Sequence, residues 1–253
     1  VWEKSNNKWL IPVVIAFLII ALGSGYYFYK KFNSEKTAGN VSEKSSSATT
    51  AASSDKSAEK PKETTSASSA SDLKKADTYL PGLNKKYTYK NNYVDGTSDI
   101  VDIITGHIEG AAVMSMTNII HDSEAYTEHI VRRSDGLYTV SDENTAEYVR
   151  YLPDTISKGL SWESSGIAFK IEETNASCKT GLKSFENCIV VNQNYSGTGY
   201  ATRVWYAPGI GIVKAVYTDS GSVRQELTGI FDVNESEAKE LILKYSLNIG
   251  KVK

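Results

Sequence analysis

The segment TRVWYAPGIGIVKAVYTDSGSVRQELTGI, residues Thr202 to Ile230, decides the fold. It reads as three strands, Thr202–Tyr206, Gly211–Thr218 and Ser222–Ile230, separated by turn chemistry. At the first turn Pro208 fixes φ and Gly209 permits a positive φ, which joins the flanking strands; Gly211 is part of the same structural turn. Asp219-Ser220-Gly221 between two such runs is a hairpin signal.

The same grammar extends upstream. Ile167, Phe169 and Ile171 alternate with Ala168, Lys170 and Glu172, the period-two pattern of a half-buried strand. Further strands are expected at Lys86–Tyr93, Ala111–Ile119, Leu137–Ser141, Glu147–Leu152 and Cys188–Gln193, with turns at Asp95-Gly96, Asp135-Gly136, Gly181 and Ser196-Gly197. In Ala125–Arg132 the residues Tyr126, Glu128, Ile130 and Arg132 alternate with Ala125, Thr127, His129 and Val131, and neither face is plainly the buried one. Strands at this spacing without intervening helices predict a mainly β, antiparallel meander. One helix closes the chain near 235–246: Asn234 caps it, Glu235 and Glu237 suit its N-terminal dipole, and Leu241, Ile242 and Tyr245 supply an apolar stripe.

Before this domain the chain changes character twice. After a short flank, residues 1–8, the run Trp9–Tyr29 contains no charged residue. As a helix its 21 residues span about 31 Å, the thickness of a hydrocarbon core. Trp9 at one end and Tyr26, Tyr27 and Tyr29 at the other resemble interfacial belts, with Lys8 and Lys30-Lys31 as water-side anchors. A retained single-pass signal-anchor is the expectation; a cleaved secretory signal ending at Ala21, Gly23 or Gly25 is the competing reading. The lysine count by itself favours a cytoplasmic C-terminal side. The character of the chain beyond the run favours an extracytoplasmic one, which is the expectation taken. Residues 30–78 are rich in Ser, Ala, Thr, Lys and Glu and poor in large apolar side chains, so they cannot offset the entropy of ordering and read as a disordered linker. A coil of this length averages roughly 36 Å end to end, which keeps the folded domain, residues 79–253, close to the bilayer.

Charge changes sign at that boundary. Residues 1–78 carry eleven Lys against eight acidic residues, and the remainder carries seventeen Lys and Arg against twenty-two acidic residues. A mildly acidic domain without basic clusters is a poor partner for nucleic acid.

No residue set names a reaction. His107, His121 and His129 lack zinc-ligand spacing, although His121 and His129 could meet on adjacent strands. The acidic turn Asp95–Asp99, with Asp102 beyond it, departs from the EF-hand order and reads as a solvated turn. Trp162-Glu163-Ser164-Ser165-Gly166 lacks the leading Gly of a nucleophile elbow, and Glu172-Glu173 point to opposite faces of a strand. Leu152-Pro153-Asp154-Thr155 is similar to a sortase signal but lies mid-domain with Ile156 in place of Gly. No catalytic residue, metal ligand or cofactor is assigned. Cys178 and Cys188 flank a turn around Gly181–Ser184, so a cross-strand disulfide is expected, with two free buried thiols as the alternative.

Two stretches carry a family resemblance: Phe185-Glu186-Asn187-Cys188-Ile189-Val190-Val191, and Trp205-Tyr206-Ala207-Pro208-Gly209-Ile210-Gly211-Ile212-Val213-Lys214. With Gly159 and Trp162 upstream, they resemble an uncharacterised group of bacterial exported β-domains found in Gram-positive lipoproteins and membrane-anchored proteins. That group is distantly similar to half-barrels that carry lipoproteins or lipids between membranes. The resemblance implies a curved, half-barrel-like sheet around a hydrophobic concavity, in which Trp162, Trp205 and Tyr206 are core anchors or groove lining. The resemblance implies a bacterial surface protein and brings no activity with it. The short linker, the β-rich architecture and the tyrosine-rich composition point to a membrane-tethered, extracytoplasmic binding module of the bacterial cell envelope, taking an apolar ligand or an envelope component. A structural or sensory ectodomain acting through protein–protein contacts is the alternative.

Overall fold

Antiparallel pairing organises almost all of the domain. The computed structural model describes residues 73–108, 113–120, 124–248 and 252. The apolar run Trp9–Tyr29, its flank, most of the linker and His121 lie outside the described residues. Among the described residues no helix is long and apolar enough to cross a membrane.

The elements in chain order are β1 (Lys74–Lys75), a 3-10 turn (Ala76–Tyr79), β2 (Lys85–Asn92), β3 (Ser98–Gly106), β4 (Met114–Ile120), β5 (Glu124–Arg133), β6 (Gly136–Ser141) and β7 (Tyr148–Pro153). Then come β8 (Thr155–Ile156), β9 (Ser161–Ser164), β10 (Ile167–Lys179), β11 (Ser184–Tyr195), β12 (Tyr200–Ala207), β13 (Gly211–Tyr217), β14 (Val223–Asp232) and the helix α1 (Glu235–Tyr245). Twelve strands form one sheet in the order β7-β6-β5-β4-β3-β2-β14-β13-β12-β11-β10-β9. It is two meanders, β2 to β7 and β9 to β14, joined where β2 pairs with β14.

The sheet curls further than a half-barrel. Its two end strands meet, because the Arg150 backbone N–H donates to Ser164 Oγ at 3.0 Å and Trp162 Nε1 donates to the Arg150 carbonyl at 2.8 Å. Trp162 also stacks on Phe169, with centroids 5.0 Å apart and planes 1° from parallel. The result is a nearly closed barrel, which leaves few unpaired strand edges. Bulges in β7, β10, β11, β13 and β14 supply the bending that closure requires.

The helix forms as expected, with Asn234 Oδ1 accepting from the Ser236 N–H at 2.9 Å. It lies on the outside of β3, β4 and β5. Ala238 and Ile242 are its buried stripe, and Gly106 makes room for it: a Cβ there would stand 2.7 Å from Ile242 Cδ1.

Two boundaries differ from the sequence reading. Ordered structure begins by Lys74, ahead of residue 79, because Lys74-Lys75 pairs with Thr155-Ile156 and Arg132 ties Asp154 (2.8 Å) to Asp77. The acidic stretch at 95–102 is a tight turn that leads into β3. Asp95 accepts from Thr97, and the two acids on the strand are taken up by β2 and its C-terminal neighbour: Tyr93 donates to Asp99 at 2.5 Å and Thr88 to Asp102 at 2.7 Å.

Trp162→Phe keeps the ring stack at the seam and removes its hydrogen bond. We expect a loss of about 1 kcal/mol in urea unfolding, against about 3–5 kcal/mol for Trp162→Ala. Amide exchange at β7 and β9 should rise in both variants before it rises in β12 and β13.

Candidate functional site

Each strand of the barrel sends alternate side chains inward, and the interior is filled unevenly. One part is packed by Leu137, Leu152, Ile156, Ile171, Ile189, Val191 and Val204, all fully buried, with the 3-10 turn's Ala76 and Tyr79 set against them. Between the walls lies a cavity of about 90 Å³. Apolar and aromatic side chains dominate its lining: Tyr79, Tyr87, Tyr89, Tyr151, Tyr195, Tyr206, Phe169, Ile103, Met116, Ile130, Ile167 and Ile212. Thr105, Asn118, Glu128, Thr139 and Gln193 are the polar side chains among them.

Several polar groups of the wall, tyrosine hydroxyls included, are paired. Gln193 is the hub on one wall: its Nε2 donates to Tyr206 Oη at 3.2 Å and its Oε1 accepts from Tyr195 Oη at 3.0 Å. Tyr89 donates to the Ile212 carbonyl at 2.8 Å, and Tyr87 Oη accepts from the Gly82 N–H at 2.8 Å. On the opposite wall Glu128 Oε2, Asn118 Nδ2 and Tyr151 Oη are buried without a hydrogen-bond partner in the protein. The Asn118 amide lies beside the Glu128 carboxyl, yet those two atoms complete no bond to each other. Register explains the grouping, since Glu128 faces Met116 across the β4–β5 pair and Asn118 is the next inward residue on β4.

Burial pushes the Glu128 carboxyl up to about 8, and the Asn118 amide offsets this only in part. The folded state therefore holds a proton that the unfolded chain releases near pH 4.5. Stability from this group is complete below that value and is lost progressively as pH rises through about 8. Glu128→Gln should flatten the decline. Urea midpoints taken across this range should fall by several kcal/mol equivalent in the parent protein and much less in the variant.

A second polar cluster lies on the outer face of the same strands. Ser115 Oγ is 3.0 Å from His129 Nδ1, and His129 Nε2 is 2.9 Å from Asp142 Oδ1. The order is that of a hydrolytic triad, but Ser115 and His129 are fully buried and none of the three residues lines the cavity. Asp142 also accepts from Ser246 Oγ at 2.7 Å and from the Asn248 N–H at 3.0 Å, and Asn248 Nδ2 returns a bond to the Asp142 carbonyl at 2.9 Å. Burial raises the Asp142 carboxyl; the bonds from His129, Ser246, Leu247 and Asn248 outweigh it and hold the group below its ordinary value. The cluster pins the segment after α1 onto β5 and β6. Among the described residues no group of three or more His, Cys, Asp and Glu side chains is placed to hold a metal ion, and His107 is exposed.

The aromatic residues singled out in the sequence separate. Tyr206 lines the cavity, its ring 6.5 Å from that of Tyr151. Trp205, its neighbour on β12, is directed to the other face and packs half-buried on a cluster formed by Cys178, Phe185, Cys188, Val190 and Val213. Trp162 is the seam residue and lies outside the cavity wall. The Pro208-Gly209 turn does more than join strands. The Gly209 N–H donates to the Thr78 carbonyl at 2.8 Å, and Gly211, at φ +80°, lets Pro81 approach to 3.3 Å from where a Cβ would stand. The turn thereby fixes the segment that bears Tyr79.

Cys178 and Cys188 are both free thiols, in place of the expected disulfide. Their register accounts for it: Cys178 pairs with Phe185 and Cys188 with Ala176, with irregularities between, so the two are not cross-strand partners. Burial pushes Cys178 up to about 11 and Cys188 up to about 12. Little thiolate forms near neutrality, so alkylation of the folded protein should be slow at both positions. Unfolding in denaturant without reductant should release two fast-reacting thiols, counted by mass spectrometry; a count of none would show a disulfide.

Sequence reasoning missed Glu128, Asn118, Gln193 and Tyr151. The available signal was the acid within an alternating run, Tyr126-Thr127-Glu128-His129-Ile130.

No family model matches the chain, and no curated protein matches it. Two solved structures are similar. One is a Bacteroides fragilis protein described as exported with a YmcC-like fold, at 13% identity and TM-score 0.43, covering 61% of this chain and 99% of that one. The other is a Parabacteroides distasonis protein described as a lipoprotein, at 9% identity and TM-score 0.36, covering 61% of this chain and 98% of that one. Identity this low transfers no activity.

Proposed function

We propose that this protein is a membrane-tethered, extracytoplasmic binding module of the bacterial envelope whose site is the cavity inside the barrel. Its ligand has a compact apolar body and at least one hydrogen-bonding group. One observation carries the reading: an apolar, tyrosine-rich chamber of about 90 Å³ holds three buried polar atoms that the protein itself leaves unpartnered. Buried polar groups are otherwise paired almost without exception, and each unpaired one costs about 1–3 kcal/mol. Binding sites of small molecules combine an apolar wall with a few convergent polar groups in this way. The volume is below the roughly 150 Å³ of an engineered cavity that holds benzene, so the chamber suits a group of few heavy atoms or the end of a longer molecule. Tethering is supported by the charge-free run Trp9–Tyr29, and the extracytoplasmic side by the resemblance to exported β-domains.

Xenon NMR and titration with 1-butanol test the site on the full chain in detergent. Both should perturb methyl signals of Met116 and Ile130, and Met116→Trp, which fills the chamber, should abolish the perturbation while leaving the far-UV spectrum unchanged. A chamber that exchanges water alone, with neither probe bound, would overturn the reading and favour an ectodomain acting through protein contacts.

A further inference from the structure

The cavity wall has a specific charge character. Among the described residues Glu128 is its sole carboxylic acid, and no Lys, Arg or His side chain lines it. Six tyrosines contribute to the wall, and aromatic rings around a single carboxyl form the environment in which compact organic cations are bound. Glu128 is 4% exposed and Asn118 1%, and both carry unpartnered atoms directed to this space.

Resting on the reading of the cavity as a ligand site, we propose that its ligand presents a small organic ammonium group, held by ion pairing to Glu128 and by the surrounding tyrosine rings. Asn118 Nδ2 and Tyr151 Oη then donate to an acceptor oxygen elsewhere on the same ligand. A neutral ligand would leave the buried carboxyl to be satisfied as an acid; a cation restores it as a carboxylate, at the point where a lone buried charge is most costly.

Proton balance is set by this arrangement. The Glu128 proton leaves to solvent as the ammonium enters, and the ligand keeps its own. The groups facing Glu128 do not substitute for it. Met116 and Asn118 face it from β4 and Ser141 from β6, and Tyr126 precedes it on the inward side of β5. Beyond Tyr126 stand Tyr93, Asp99 and Arg224, whose charges act on Tyr126. His129 and Asp142 occupy the opposite face of the sheet.

The test is calorimetric titration of the full chain with tetramethylammonium and with tert-butyl alcohol, a neutral molecule of the same heavy-atom count and similar shape, in buffers of different ionisation enthalpy. Tetramethylammonium should bind more tightly than the alcohol, with affinity rising about tenfold between about pH 6 and about pH 7 and levelling above about pH 8. Close to one proton should be released at the lower pH and none at about pH 9.5. Glu128→Gln should abolish the preference for the cation and keep the alcohol, and Glu128→Asp should retain part of it. Those two variants also separate loss of the counter-ion from loss of fold. Equal or tighter binding of the alcohol, without proton release, would overturn the ammonium assignment while leaving the cavity as a ligand site. Absence of binding by both probes would overturn the assignment and the site together.

Discussion

The pairing of Lys85–Asn92 with Val223–Asp232 is the constraint on which the rest of the structure depends. Each meander alone is a local object, built from hairpins that need only neighbouring residues. The β2–β14 ladder joins chain segments about 140 residues apart and turns two meanders into one continuous wall. Leu227 opposite Tyr89 and Gln225 opposite Asn91 set its register, and a bulge at Thr228 lets the ladder continue to Asp232. Only when it is made do the far strands β7 and β9 come within reach, so that Trp162 can donate to the Arg150 carbonyl. Closing a loop of this size is entropically expensive before the contacts it permits are formed, and such topologies fold slowly.

The outer face is unequally covered. Helix α1 and the segment after it lie over β3 to β6, where Gly106, Ser115, Thr117, Thr127, His129 and Val140 are all buried. These strands are thus enclosed on both sides, by the barrel interior and by the helix. On the other meander the long β10–β11 hairpin packs Cys178, Phe185 and Cys188 into one cluster with Val190, Val213, Tyr87 and Tyr89. Pinning the chain after α1 by Asp142 matters because the helix's buried stripe is short, Ala238 and Ile242.

How much of this was legible depends on which faces are buried. Thr202–Ile230 could be read because one face of each strand is apolar and the turns carry Pro-Gly and Ser-Gly. The helix was equally clear from Asn234 and its flanking acids. Strand β3 was not, because its Ser98, Asp99 and Asp102 suggest a loop until Tyr93, Thr88 and Lys86 on the neighbouring chain segment are seen to receive those acids. Strand β5 resisted for a different reason: both its faces are buried, so polarity cannot tell them apart. The sequence also offered Trp205 and Tyr206 together as core anchors or groove lining, although adjacent strand residues face opposite ways and one alone can point inward. The cavity itself depends on cross-strand register and could not be read from any single segment.

Glu128 and His129 make the functional argument by contrast. They are adjacent on one strand, buried to a similar degree, and polar. His129, on the outer face, is enclosed by partners: Ser115 on one ring nitrogen, Asp142 on the other, and Asp142 is satisfied in turn by the chain beyond the helix. That is how a fold treats a polar residue it uses for its own integrity. Glu128, on the inner face, has an amide beside it and a partly empty chamber in front of it, and its Oε2 is left without a bond. A leucine or methionine at this position would fill space and remove the desolvation cost, as such replacements commonly do at buried ionic sites. Local rules of this kind are broken at functional sites, where a group's cost to the empty protein is recovered on binding. The same strand therefore carries two differently treated buried polar side chains, and it is the inward one, Glu128, on which the proposed ligand site rests.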